Sequence, residues 1–419
     1  MNYVALAIPF FLLLILIELL VNYYRKADTY AFNDAINSIH LGILSQITGL
    51  AKKTIQFSFY AIIFQYIALF ELGTQSLWVW VFGFIAYDFC YYWNHRMSHE
   101  INVLWASHVV HHQSEEYNLS TALRQTSGGI FGFIFYLPLA LIGIDPMIIL
   151  TVGSLNLVYQ FWVHTKHIHL MPTWFEAIFV TPSNHRVHHA QNPIYLDKNH
   201  GGVFILWDRV FKTYQAELPK EPVIFGVTKP LASWNPIWAN IEVYWGLILD
   251  CFRTQSWADK VRIWFKPTGW RPSDVALKYP TPIFDPYKQK KFDTHLSPMQ
   301  KLYILIQHVS LIAMGVFLIN NAASYETFYT LSATIAGVFM LFSIGWYQAQ
   351  KAGANIFEIV KLVFISLIIA QQTFFIANAM SAAIIWFALN ITLLWLGRAP
   401  TLSLDVNSQK NKSQGTYDS

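Results

Sequence analysis

Charged residues are scarce in this sequence, which excludes an ordinary soluble domain. Asp, Glu, Lys and Arg make up 12% of the 419 residues and hydrophobic residues make up 54%. A soluble domain carries about twice that charged fraction. The net charge is only +4, and the dispersed Lys and Arg argue against nucleic-acid binding and favour contact with a membrane surface. The composition therefore predicts an integral membrane protein.

Cysteine is also scarce. Cys90 and Cys251 are the only two cysteines, and Cys90 lies in an apolar run, which excludes a disulfide framework and a thiolate metal site. The sequence also lacks the H-E-x-x-H motif of zinc proteases and the glycine pattern of a dinucleotide-binding fold. Neither cysteine chemistry nor a bound dinucleotide is therefore predicted.

Long apolar segments predict the helices that cross the membrane. Residues 4–24 contain one charge, Glu18, and are long enough to cross a hydrocarbon core of about 30 Å. No basic residue precedes them and no small-residue cleavage site follows, which favours an anchor over a secretory signal. Residues 35–70 predict two helices, possible arms of a hairpin interrupted by Lys52 and Lys53. Further spans are predicted at 77–93 and at 302–319, 327–347, 356–375 and 382–396, and residues 128–163 predict either two spans or a re-entrant pair on the two sides of a turn at 143–146.

Histidine, by contrast, is concentrated in three clusters, HRMSH, HVVHH and HRVHH. Residues three or four apart lie on the same face of a helix, so each cluster presents its rings together. Imidazole binds iron, zinc, copper or nickel, and the combined rings exceed the coordination shell of one ion. The pattern predicts two metal ions, with eight candidate ligands: His95, His99, His108, His111, His112, His185, His188 and His189.

These clusters resemble the H-x3-H, H-x2-HH and H-x2-HH boxes of the fatty acid hydroxylase and sterol desaturase superfamily, integral-membrane diiron enzymes. The resemblance rests on YDFCYYWNHRMSHE, WASHVVHH and TPSNHRVHHAQN, and SEEYNLSTALRQ after the second box is similar to the alkylglycerol monooxygenase branch. It implies that the eight histidines bind two irons and that His164 of YQFWVHT is a further ligand. His167 and His169 lie beyond it and are interpreted as loop residues or residues outside the ligand set.

The resemblance also suggests roles for other polar residues. Glu100 and Asp88 are the candidate catalytic carboxylates, each able to orient a metal-bound imidazole. The alternatives are a surface carboxylate for Glu100 and a polar spot in the helix bundle for Asp88. Residues that could bind the glycerol hydroxyls or a cofactor are Asn118, Arg124 and Gln125.

Two positions depart from the superfamily pattern. Lys212 stands where glycine is usual, which puts the turn after Phe211 in doubt. His200 stands where tyrosine is usual and is not assigned as a ligand.

The predicted fold is an all-α integral membrane protein, in which a transmembrane helix bundle carries a histidine-rich helical cap with a dinuclear metal site. Basic residues near the first anchor, in a later loop and in the tail favour the cytosolic side for the cap. The predicted regions are a fatty acid hydroxylase-type catalytic domain at 1–252, a basic, proline-rich cytosolic loop along the headgroups at 253–301, a four-helix membrane region at 302–397 and a polar disordered tail at 398–419.

The function implied by the resemblance is that of a membrane diiron monooxygenase acting on ether lipids. With two irons, dioxygen and tetrahydrobiopterin as electron donor, it would hydroxylate the ether-linked carbon of an alkylglycerol, and the product would separate into a fatty aldehyde and a glycerol derivative. A separate electron-donor protein is the alternative to the pterin. The membrane would be the endoplasmic reticulum in a eukaryote or the inner membrane in a bacterium.

Two other functions stay open at this point. A sterol or fatty-acyl hydroxylase or desaturase would use the same diiron site. A metal-binding transporter would need charges along a membrane pathway. Residues 302–397 contain four charged residues, mostly near predicted helix ends: Glu326, Lys351, Glu358 and Lys361.

Overall fold

The protein is described by a computed structural model that covers residues 3–321, 327–371 and 378–397. Within these residues all regular secondary structure is helical, and extended backbone pairs only in isolated bridges. The predicted all-α fold class is confirmed for this part of the chain. Contacts divide the chain into two compact units, Met1–Asp293 and Thr294–Ser419; the boundaries at 252 and 301 stay predictions.

The first unit carries every histidine of the three clusters. Short 3₁₀ turns lie at Thr121–Leu123, Gly132–Tyr136 and Pro286–Lys288. The α-helices of this unit are α1 (Tyr3–Arg25), α2 (Phe32–Ile67), α3 (Leu77–Glu100), α4 (Asn102–His112), α5 (Leu137–Ile142), α6 (Pro146–Trp162), α7 (Thr173–Ile178), α8 (Pro182–His188), α9 (Leu206–Val210), α10 (Pro236–Arg253), α11 (Trp257–Phe265) and α12 (Ser273–Lys278).

Two chain reversals predicted from the sequence have different outcomes. Helix α2 is continuous over 36 residues, so the hairpin is wrong. No proline interrupts it, and the long side chain of Lys52 reaches the carbonyl oxygen of Gly128 at 2.5 Å without breaking the helix. The turn between α5 and α6 is confirmed, because Gly143 ends α5 with a φ of 97° and Asp145 caps α6 by accepting from the backbone N–H of Met147.

Packing in the first unit brings the histidine-bearing ends of the helices together. Val79 and Cys90 of α3 share an apolar core with Ile148 of α6. Ala106 of α4 packs on Ile263 of α11. The region predicted to form a loop along the headgroups, 253–301, therefore includes a helix that supports α4, and its residues up to Asp293 belong to the first unit.

The second unit contains helices in the region predicted to hold four spans. They are α13 (Pro298–Asn321), α14 (Thr327–Gln348), α15 (Ala354–Ala370) and α16 (Ala379–Leu396). The predicted span 356–375 ends at Ala370 as a helix, and its last residues, like Glu326 and the tail predicted to be disordered, lie outside the described residues.

Glu358 and Lys361, expected near a helix end, are both fully buried. The Glu358 carboxylate pairs with the Lys361 ammonium and accepts hydrogen bonds from Tyr303 and Ser343. Burial is tolerated because the two charges neutralise each other and the carboxylate has further donors. These residues form a satisfied internal pair, not the series of charges expected along a transport pathway.

Two helices in the described chain are long and apolar enough to cross a membrane, Leu6–Arg25 and Ala379–Leu396. The first belongs to α1, where Glu18 is 5% exposed. Its carboxylate accepts from the backbone N–H of Leu119 at 2.8 Å and from the hydroxyl of Thr165 at 2.5 Å. The single charge of the predicted anchor thus attaches α1 to chain segments beside the histidines.

Candidate metal centre

Three helix ends and one loop supply the clustered histidines. His95 and His99 lie in the last turns of α3, the HVVHH cluster ends α4, and the HRVHH cluster spans α8 and its C-cap. Helix α8 starts with Pro182 in its first turn, after Thr181, whose side chain caps it by accepting from the N–H of Asn184. His164 follows the end of α6.

The structure brings together all nine histidines predicted as ligands, and they form two groups. Within each group the potential ligand atoms lie within 4.8 Å of one another. The five-histidine group consists of His95, His99, His108, His112 and His188, and the four-histidine group consists of His111, His164, His185 and His189. The groups are adjacent, since the rings of His112 and His189 stack with centroids 4.4 Å apart. The arrangement suits two neighbouring metal ions.

Hydrogen bonds to backbone carbonyls determine which ring nitrogen carries the proton. The Nδ1 atom of His111 lies 2.9 Å from the carbonyl oxygen of Arg124, and that of His164 lies 2.8 Å from the carbonyl oxygen of Gln160. A carbonyl only accepts, so each Nδ1 must donate, and a neutral ring then has a lone pair at Nε2. The Nε2 atoms of His111 and His164 are 3.3 Å apart. Two lone pairs cannot hydrogen-bond to each other, so a cation between them fits this geometry.

Buried nitrogens without a partner lead to the same conclusion for the other group. Nε2 of His99 and Nε2 of His188 are buried and make no hydrogen bond in the described structure. Nδ1 of His188 donates to the carbonyl oxygen of Lys198 at 2.9 Å. A buried polar atom without a partner is unfavourable, and a metal ion would satisfy both nitrogens.

The rings are kept neutral by their surroundings. Burial lowers the pKa of His111 to about 4 and holds the pKa of His108 and His112 well below the ordinary value. Neutral imidazole is the form that binds metal.

The spacing of the Nε2 atoms also suits coordination. The Nε2 atoms of His95 and His108 are 3.0 Å apart, and those of His164 and His185 are 3.1 Å apart. Two nitrogens about 2.1 Å from one ion and at right angles to each other are about 3.0 Å apart. The residues present therefore fit a metal ion in each group.

One loop orients three members of the five-histidine group. Its backbone carbonyls accept from two rings, Lys198 from His188 and His200 from His95 at 2.8 Å. The Asp197 carboxylate lies 3.3 Å from Nδ1 of His99. We call residues 197–200 the orienting loop. His200, not assigned as a ligand from the sequence, lies outside both groups but positions His95 through its carbonyl.

Buried carboxylates hold the last residue of this loop and the chain that follows it. Asp208 accepts from the backbone N–H groups of His200 and Gly201, each at 2.7 Å. Asp88 accepts from the N–H of Val203 at 2.7 Å and the indole of Trp207 at 2.9 Å. These contacts favour a structural role for Asp88, whose catalytic assignment stays a prediction.

The remaining polar candidates also contact protein groups. Glu100 forms an ion pair with Arg96 at 2.8 Å. Asn118 donates to the carbonyl of Thr29, and Gln125 donates to the carbonyl of Ala122. Their roles in catalysis or in binding a substrate or cofactor stay predictions.

Arg124 is 2% exposed and donates to the carbonyl of Val110 at 2.7 Å, while its own carbonyl orients His111. Its position indicates support for the ligands of the four-histidine group. A role in binding the glycerol hydroxyls or a cofactor likewise stays a prediction.

Lys212 preserves the turn that the sequence put in doubt. It adopts a φ of 62°, a left-handed conformation that glycine takes without strain. The hydroxyl of Thr213 still donates to Asp208 at 2.7 Å. This conformation explains why glycine is usual at position 212. Lysine at this position strains the turn without breaking it.

Comparisons with known proteins identify the family. A model of the fatty acid hydroxylase family matches residues 80–213, a range that contains both histidine groups. The chain is 36% identical over 370 residues to alkylglycerol monooxygenase of Homo sapiens, covering 87% of this chain and 82% of that protein. The chain belongs to the alkylglycerol monooxygenase family. Members from Danio rerio and Xenopus tropicalis are 35% and 34% identical to it, over 88% and 86% of this chain and 82% and 80% of those proteins.

No solved structure gives a significant match. As a member of the alkylglycerol monooxygenase family, the chain is an oxygen-dependent oxidoreductase. The family and the two histidine groups indicate a diiron site. The family and the two apolar helices indicate a membrane protein.

Proposed function

We propose that this protein is a diiron monooxygenase that hydroxylates the ether-linked carbon of alkylglycerols and so cleaves them to a fatty aldehyde and a glycerol derivative. The observation that carries the proposal is the pair of adjacent histidine groups, in a chain that matches alkylglycerol monooxygenases over most of its length. The nine histidines would hold the two irons through their Nε2 atoms. Bound iron would supply dioxygen activation and removal of hydrogen from the carbon beside the ether oxygen.

The protein's part in this reaction is to present neutral, oriented ligands. Backbone carbonyls keep the Nδ1 protons of His95, His111, His164 and His188 in place, so the Nε2 lone pairs stay available. Seven of the nine rings are buried and those of His108 and His111 are half-buried, so little of the ligand set is exposed to solvent. The hydroxylated carbon still bears the ether oxygen, so this product is a hemiacetal and separates into aldehyde and alcohol without a further oxidant.

The reductant and the membrane arrangement complete the proposal. Tetrahydrobiopterin is the proposed electron donor, with a separate donor protein as the alternative. Basic residues after the first anchor, in 253–301 and in the tail support a multi-pass chain whose histidines face the cytosol. The lipid substrate would enter by lateral diffusion in the bilayer.

The decisive experiment measures turnover of an isotopically labelled alkylglycerol by purified, iron-loaded protein under oxygen, with and without tetrahydrobiopterin. We expect labelled aldehyde only with the pterin, and its loss in His111→Ala. His167→Ala is the matched control, because His167 lies outside both histidine groups, and it should retain activity.

The family model leaves a second candidate, a fatty-acyl or sterol hydroxylase or desaturase with the same metals. Two irons per chain without labelled aldehyde would refute the alkylglycerol substrate. Parallel assays with acyl lipids and sterols would then identify which of these lipids is oxidised.

A further inference from the structure

A cavity of about 500 Å³, partly open to solvent, lies in the first unit. This volume is within the roughly 300–1,000 Å³ typical of small-molecule sites. Its lining includes Phe225, Lys166, Arg186, Glu115, Glu217 and Lys291. Arg186 directly follows His185 of the four-histidine group, so the cavity adjoins the chain that carries the proposed iron ligands. Neither the histidine motifs nor the proposed function assigns this cavity a ligand.

Two aromatic residues, Tyr117 and Phe225, connect the cavity to the four-histidine group. Tyr117 is fully buried and stacks on Phe225 with centroids 4.8 Å apart and planes 8° apart. On the metal side the Tyr117 ring lies 5.6 Å from the ring of His164 and 5.4 Å from that of His189. The Tyr117 hydroxyl donates to the carbonyl of Val163 at 2.9 Å, which fixes the ring. Two packed aromatic rings therefore separate the cavity from the proposed iron ligands His164 and His189.

The charges in the cavity are largely compensated. Arg186 pairs with Glu217 at 2.7 Å. Lys166 and Lys291 both pair with Glu116, at 3.7 Å and 2.5 Å. The cavity therefore favours a neutral ligand with hydrogen-bonding edges over a strongly charged anion.

The exposed side of Phe225 suits a planar ring. The Lys166 ammonium lies 5.0 Å from the centroid of the Phe225 ring, the position expected for a cation over an aromatic face. A lysine side chain is flexible and can leave this position. A planar heterocycle can then stack on Phe225, with the neighbouring Glu115 carboxylate beside its polar edge.

We propose that this cavity binds the reductant, a neutral reduced heteroaromatic compound of the pterin class, and that Phe225 and Tyr117 relay its electrons to the four-histidine group. This inference rests on the proposed function, which requires an electron donor. The donor gives up two electrons and two protons. Together with dioxygen and the lipid C–H bond, these yield oxidised donor, one water and the hydroxylated carbon.

The test uses full-length, iron-loaded protein and does not depend on lipid turnover. Binding of tetrahydrobiopterin is measured without oxygen by calorimetry, and reduction of the ferric protein by the pterin is followed by stopped-flow absorbance. For Phe225→Leu we expect a dissociation constant about 10-fold higher, which corresponds to about 1.4 kcal/mol of lost stacking, and slower reduction. Phe225→Tyr keeps the ring and should bind as the wild type does. Tyr117→Leu should slow reduction without weakening binding.

Matched controls separate this effect from misfolding. Phe252→Leu removes an exposed phenylalanine of α10 that is not part of the cavity lining and should change nothing. Dithionite should reduce every variant at the same rate, and iron content should equal that of the wild type. If Phe225→Leu loses its iron, Val223→Trp replaces it as a variant that fills the cavity, and it should block pterin binding.

Unchanged pterin affinity and reduction rate in the iron-loaded cavity variants would overturn the inference, as would a raised KM for the alkylglycerol with normal pterin binding. If the wild type also releases aldehyde with pterin, the proposed function survives that failure. Conversely, pterin binding that depends on Phe225, without aldehyde from alkylglycerols, would support the cavity assignment and refute the substrate.

Discussion

Replacing Asn199 with glycine tests whether the orienting loop controls iron binding in the five-histidine group. Asn199 is fully buried. Its amide donates to the carbonyls of Asn184 and Gln215 at 2.9 and 2.7 Å, and its side-chain oxygen accepts from the N–H of Gln215 at 2.9 Å. Glycine can adopt the φ of 58° found at this position without steric cost. The substitution therefore removes side-chain hydrogen bonds and keeps the backbone conformation accessible.

The expected magnitude follows from these contacts. Each lost hydrogen bond contributes about 1 kcal/mol, so the free energy of unfolding should fall by about 3 kcal/mol. The neighbouring carbonyls of Lys198 and His200 would no longer be held against His188 and His95. Loss of such outer contacts typically weakens metal binding about 10- to 100-fold. We expect this loss in the five-histidine group alone.

The assay is a titration of ⁵⁷Fe-loaded protein with a chelator, followed by Mössbauer spectroscopy to distinguish the two irons. Asn235→Gly is the matched control, because Asn235 caps α10 by accepting from the N–H groups of Ile237 and Trp238 and belongs to neither the orienting loop nor a histidine group. Its irons should behave as in the wild type. Wild-type iron affinity in Asn199→Gly, or equal weakening at both irons, would refute the reasoning.

Three further predictions concern the turn, a buried carboxyl group and the ninth histidine. Lys212→Gly should raise the free energy of unfolding by about 1 kcal/mol, because glycine removes the left-handed strain; a lower value in urea unfolding would contradict this. Burial raises the pKa of Asp208 from 3.8 to about 6. The contribution of this carboxyl group to the free energy of unfolding is therefore fully present below pH 3.8, and about 3 kcal/mol of it is lost as the pH rises through 6. Comparing the unfolding of iron-free wild type with that of Asp208→Asn between pH 4 and 7 tests this, and parallel curves would exclude it. His164→Ala should lower iron from two ions per chain to one while His167→Ala retains both, and two tightly bound irons in both variants would remove His164 from the ligand set.

Residue types and their spacing were sufficient to predict the all-α fold and the histidines that come together. Helix periodicity places rings three or four residues apart on one face, so HVVHH and HRVHH each had to present clustered imidazoles. Periodicity could not predict that α2 continues past Lys52, because a lysine can reach a distant carbonyl from inside a helix. Nor did it predict the burial of Glu358, which depends on partners from other helices.

The sequence by itself determined which side chains could bind metal and that the chain is rich in apolar helices. Only the tertiary structure decided how the nine histidines divide into groups of five and four, and which groups hold their Nδ1 protons. His95 and the carbonyl that orients it are 105 residues apart, and every residue type has a backbone carbonyl, so no motif marks that partner. The same holds for Tyr117 and Phe225, whose stacking depends on the approach of distant segments. Local periodicity therefore predicts the candidate ligands, whereas long-range packing sets their orientation and connects them to the cavity.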